Sequence, residues 1–89
     1  MKTFKALYFA AAKDATGVTN ELVRFPEECQ DSISIPKFFE ILESRHPKLK
    51  EKKILSSAAV AVNLEYVDVS DGRIKPGDEV AIIPPVSGG

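Results

Sequence analysis

The sequence predicts an α+β domain: a mixed sheet of about five short strands with one main helix packed on one face. Three observations lead there. Period-two and period-3.6 patterns occur in the order strand, strand, helix, strand, strand, strand. The first strand-like stretch is apolar on both faces, which marks a central strand whose second face is also covered. The helix-like stretch carries a single apolar stripe, so it covers one face of the sheet and leaves the other to something else.

Residues 3–12 read as the first strand, with Phe4, Ala6 and Tyr8 on one face and Lys5, Leu7 and Phe9 on the other. The stretch Lys13-Asp14-Ala15-Thr16-Gly17 reads as a polar turn, Gly17 supplying positive φ. Residues 21–25 form the second strand, paired with the first as an antiparallel hairpin with a long loop. Ser34-Ile35-Pro36 reads as a helix start, with a capping hydroxyl and a proline in the first turn. Ile35, Phe38, Phe39 and Leu42 follow at helical spacing, and Pro47 ends the helix near His46. Lys48 to Lys53 reads as a charged connector. Residues 57–62 and 66–69 read as a strand and a short return strand around Asn63-Leu64-Glu65. Asp71-Gly72 and Pro76-Gly77-Asp78 are turn signals, and residues 79–83 are the last strand. This order resembles the β-grasp arrangement of ubiquitin-like proteins. There the first and last strands lie side by side at the centre. Apolar residues on the uncovered sheet face then call for a protein partner.

At 89 residues the chain is one domain with a modest core and little room for a deep pocket of its own. Residues 1–83 form the domain, and residues 84–89 form a flexible C-terminal tail. Twelve Lys+Arg against thirteen Asp+Glu argue against a nucleic-acid binder, which would be distinctly basic. The apolar run from Ala6 to Ala12 is too short to cross a bilayer, and the N-terminal residues lack a signal-peptide core. A cytosolic location is the default, and the single cysteine fits a reducing compartment.

Catalytic groups are scarce. His46, beside Pro47 at the helix end, suits a structural or surface role in which a cationic ring favours the helix dipole. Cys29 lies between Glu28 and Gln30, and acidic neighbours disfavour a thiolate. Cysteine and histidine are too few for a zinc site, and neither a dinucleotide fingerprint nor a P-loop is present. The acidic residues show no pairing. What remains is the end, Pro84-Pro85-Val86-Ser87-Gly88-Gly89. Two prolines stiffen its root, and two glycines leave its tip bare. Fully extended, this arm reaches roughly 20 Å. Read as the chain end, Gly89 offers a carboxylate that is ionised at neutral pH and a poor electrophile. It must be activated before anything is transferred, for example as an acyl-adenylate. With no nucleotide site here, activation falls to a partner enzyme. An amide to a lysine, a thioester and a thiocarboxylate all remain open as products.

Three stretches carry a resemblance to a known family: Leu7-Tyr8-Phe9-Ala10 followed by Gly17, Ala61-Val62-Asn63 with Glu65-Tyr66-Val67, and the run from Pro76 to Gly89. The chain resembles the small, sulfur-carrying subunit of molybdopterin synthase over nearly its whole length. The resemblance implies a non-catalytic, sulfur-donating subunit, with the catalytic site on the large subunit. Gly89 would be adenylated by an E1-like activating enzyme using ATP and then become a thiocarboxylate. Sulfur would pass to cyclic pyranopterin monophosphate for molybdenum cofactor biosynthesis. The chain itself would bind no cofactor, metal or phosphopantetheine. The implied assembly is a heterotetramer of two small and two large subunits, with Phe9, Tyr66 and Ile83 on the partner interface. Two other readings stay open: a ubiquitin-like modifier conjugated to lysines, and a sulfur carrier for thiamine synthesis or tRNA thiolation.

Overall fold

The computed structural model describes residues 2–29 and 31–85. Strand β1 (Thr3–Tyr8) is followed by helix α1 (Ala10–Thr16), strand β2 (Asn20–Arg24), strand β3 (Ile33–Ser34), helix α2 (Ile35–Arg45) and helix α3 (Pro47–Glu51). A 3-10 turn at Leu55–Ser57 leads to β4 (Ala59–Val62), β5 (Glu65–Val67), β6 (Arg73–Ile74) and β7 (Glu79–Ile83). The main sheet runs β2-β1-β7-β4-β5, with β1 and β7 parallel and the other neighbours antiparallel. The expected mixed five-strand β-grasp sheet is therefore present, with the first and last strands adjacent at its centre.

Alternation within the strands builds the core. Phe4, Ala6, Tyr8, Val80 and Ile82 all point to the helix side and are buried. Helix α2 covers them with Ile35, Phe38 and Leu42. The Phe4 ring packs edge-on against Phe38 at 5.5 Å and Phe25 at 6.4 Å between centroids. Ser34 caps α2 as expected, its hydroxyl accepting from the Lys37 N–H at 3.2 Å, with Pro36 in the first turn. Phe39 is only partly buried at the edge of the stripe.

Several local features differ from, or add to, what the sequence predicts. The first strand ends at Tyr8, and the alanine-rich stretch read as strand and turn is helix α1. Alanine is the strongest helix former, and Ala12 and Ala15 one turn apart supply a buried face. Gly17 closes that helix at φ +78, its N–H donating to the Lys13 carbonyl at 2.8 Å. In place of the first part of the charged connector read over Lys48 to Lys53, helix α3 runs from Pro47 to Glu51, because Leu49 is fully buried and anchors it beneath the lysines. The strand expected from Ser57 begins at Ala59, after the 3-10 turn, and the return strand is Glu65–Val67. Finally, β3 and β6 form a separate two-stranded ladder, Ile33 opposite Ile74.

Candidate docking face and carrier arm

The sheet face away from α2 is apolar, and the register explains its shape. Leu7 lies opposite Ala81, Ala81 opposite Ala61, and Ala61 opposite Tyr66, one row across four strands. Two alanines in the middle and larger side chains at the ends make a shallow depression of about 240 Å³. Phe9, Leu64, Tyr66 and Ile83 stand around it. Phe9 is 48% exposed and Tyr66 73% exposed, although each is a large apolar side chain. An apolar depression with exposed aromatics on its rim is the form of a protein-contact surface.

The structure thus brings together the three interface residues expected from sequence. Phe9 reaches this face from the residue that precedes α1, beyond the end of β1. Leu64, at the tip of the β4–β5 connection, was not among the expected residues. Its exposure depends on the turn conformation, which the apolar pattern does not reveal.

The arm begins where β7 ends. Strand β7 lies between β1 and β4, so hydrogen bonds on both sides hold the root of the arm. Pro84 is buried and Pro85 is exposed. Val86, Ser87, Gly88 and Gly89 lie outside the described residues.

A polar cluster sits on the helix side of the sheet. The Tyr8 hydroxyl donates to Glu21 Oε2 at 2.5 Å, and His46 Nε2 meets the same oxygen at 2.6 Å. Arg45 Nη2 donates to Glu21 Oε1 at 3.2 Å, and the Tyr8 and His46 rings pack edge to face. Burial alone would raise the Glu21 pKa, but the hydrogen bonds from Tyr8, His46 and Arg45 outweigh it and hold the carboxyl below its ordinary value. Burial, followed by the bond to Glu21, pushes the Tyr8 phenol upward. The cluster ties the C-terminal end of α2 to edge strand β2. His46 therefore has the structural role expected, through a specific carboxylate partner the sequence did not reveal. Cys29 is partly buried against the core. Among the described residues, no three His, Cys, Asp or Glu side chains group to hold a metal ion. No helix among them is long and apolar enough to cross a membrane.

A ubiquitin-like β-grasp domain, whose central strand β7 runs into Pro84 and Pro85 beside an apolar sheet face, is the class of protein that fold and site define. The chain belongs to the ThiS family, which it matches over residues 6–89. It is 48% identical to the molybdopterin synthase sulfur carrier subunit of Pyrenophora tritici-repentis, over 97% of this chain and 89% of that protein. The human protein of the same name is 38% identical, over 96% of this chain and 92% of its own length. Among solved structures, SAMP1 from Haloferax volcanii superposes with a TM-score of 0.77 at 24% identity, covering 98% of this chain and 99% of its own. The complex of subunits 1 and 2 of molybdopterin-converting factor from Helicobacter pylori contains a chain that matches with a TM-score of 0.61 at 23% identity, covering 98% of this chain and 99% of its own. At these identities the two structures speak for the fold.

Proposed function

We infer that this chain is the sulfur carrier subunit of a molybdopterin synthase and works in molybdenum cofactor biosynthesis. The observation that carries the reading is the 48% identity to a molybdopterin synthase sulfur carrier subunit along almost the full length of both chains. The geometry fits it. A rigid central strand delivers the arm, and the apolar face beside it offers a dock for the partner whose active site the arm enters.

In this reading the Gly89 carboxylate attacks the α-phosphate of ATP bound on an E1-like enzyme and releases pyrophosphate, giving an acyl-adenylate. Hydrosulfide-level sulfur then attacks the acyl carbon and displaces AMP, leaving a C-terminal thiocarboxylate. Inserted in the large subunit, the thiocarboxylate sulfur attacks a pterin-precursor carbon that bears a cyclic-phosphate oxygen, forming a C–S bond as that C–O bond breaks and the phosphate oxygen leaves with the electron pair. Hydrolysis of the resulting thioester returns the carboxylate and leaves sulfur on the pterin. A side chain at either terminal glycine would obstruct approach to the carbonyl, which is why the tip is bare. Neither ATP nor pterin needs a site on this chain, and the small, cytosolic domain serves as a handle for two partners in turn. The assembly in this reading is two small and two large subunits.

Deletion of Gly89 tests the reading. The truncated chain keeps its fold, because the arm lies beyond the last strand, and it loses conversion of cyclic pyranopterin monophosphate by the large subunit. If the folded, truncated chain still supports conversion, the terminal glycine is not the carrier.

A further inference from the structure

We propose that Leu64 is a further anchor of the docking face, held out by a strained turn for contact with the large subunit; the proposal rests on the reading of that face given above. Val62 pairs with Glu65, so Asn63 and Leu64 are the entire connection between β4 and β5. Their φ angles are +50 and +73. A two-residue connection with both centres left-handed matches the twist of the flanking strands, and its usual sequence is Asn-Gly. Asn63 suits the first position. Leucine at the second is an outlier where glycine would sit without strain.

The turn is fixed from one side. The Asn63 N–H donates to the Glu79 carbonyl at 2.8 Å, its Nδ2 donates to Asp78 Oδ1 at 3.0 Å, and its Oδ1 accepts from the Glu79 N–H at 3.0 Å. These bonds tie the connection to the start of β7 and set the direction in which Leu64 projects. Leu64 is 91% exposed. Burial within the chain therefore offsets neither its backbone strain nor its bare apolar surface. Yet Leu64 borders the same depression as Phe9, Tyr66 and Ile83. Strained backbone that persists at the rim of a contact surface points to a role for the side chain it presents. The protein that covers this depression buries Leu64 and supplies the missing contacts.

The test is calorimetric titration of the large subunit with wild type, Leu64→Gly, Leu64→Asn, Leu64→Met and Ile83→Asp, with a Tm for each variant. Glycine and asparagine both tolerate positive φ, so their Tm values stay at or above wild type. Their Kd values rise roughly 10- to 50-fold, the effect of removing one buried leucine side chain from an interface. Methionine keeps the apolar contact and stays within about threefold of wild type. If Leu64→Gly and Leu64→Asn bind like wild type while Ile83→Asp is weakened, Leu64 is not an anchor and the reading of the face stands. If wild type does not bind the large subunit, both the reading and the proposal fall. A Leu64-dependent homodimer in light scattering, with large-subunit affinity unchanged in the variants, would assign the side chain to a second copy and overturn the proposal.

Discussion

Replacing Glu21 by alanine removes one carboxylate from three partners, and the structure sets the size of the loss. The bond from Tyr8 matters most, because Tyr8 is 1% exposed and its hydroxyl is left without its acceptor. A buried group deprived of its partner costs about 1–3 kcal/mol. The His46 contact adds less, since the Glu21 and His46 side chains are 17% and 19% exposed and water can replace it in part. The Arg45 side chain is 44% exposed, so that ion pair adds at most about 1 kcal/mol. The sum is roughly 2–4 kcal/mol, and for a domain of this size it lowers Tm by about 10–20 °C. Thermal unfolding followed by circular dichroism reads this directly. The pH dependence gives a second readout. Glu21 has its pKa lowered in the folded chain, from an ordinary value of 4.5. Its contribution is therefore fully present above that value and is lost as the pH falls through the lower folded value. The gap in Tm between wild type and Glu21→Ala is wide at neutral pH and closes in acid. Tyr8→Phe combined with Glu21→Ala costs less than the sum of the two single changes, because the variants share one bond. A Tm loss of only a few degrees at neutral pH, or a gap that widens in acid, would refute the role assigned to the cluster.

Two further outcomes follow from contacts elsewhere. A Cβ on Gly72 would lie 2.7 Å from the Asp68 carbonyl oxygen and 3.1 Å from Ile35, so Gly72→Ala destabilises by about 1–3 kcal/mol in chemical denaturation; an unchanged midpoint would mean that the turn shifts freely. Ile83→Asp places a charge on the half-buried open face and weakens large-subunit binding by tenfold or more, whereas unchanged affinity removes Ile83 from the interface.

What was legible in the sequence follows from how locally each feature is encoded. Alternation in Phe4-Lys5-Ala6-Leu7-Tyr8 and in Val80-Ala81-Ile82-Ile83 identified the two central strands, and the Ile35, Phe38 and Leu42 stripe identified α2. The open face followed from the same alternation, while Phe9, Tyr66 and Ile83 were assigned to it by the family resemblance, and the structure places all three around one depression. Helix α1 was hidden because alanines fit a strand pattern as readily as a helical one. Helix α3 was hidden because one buried leucine among lysines makes no stripe. Strands of two residues, such as β3 and β6, are too short to show a period. Glu21 and His46 are 25 positions apart, and only the packing of α2 beside β2 brings them together. The strain at Leu64 is a property of φ, which no side-chain pattern records. The tail from Pro84 is set apart by its residue types alone, which left its product open; the resemblance supplied the thiocarboxylate, and residues 86–89 lie outside the described residues.

Sulfur transfer by this chain, as proposed, requires a thiocarboxylate at Gly89. Intact-mass spectrometry of the full chain, incubated with its activating enzyme, ATP and a sulfur source, tests it most directly. The expected spectrum shows a gain of about 16 Da, the replacement of one oxygen by sulfur, absent from the chain lacking Gly89. Isopeptide-linked adducts to lysine in place of that gain would contradict it and assign the chain to the protein modifiers.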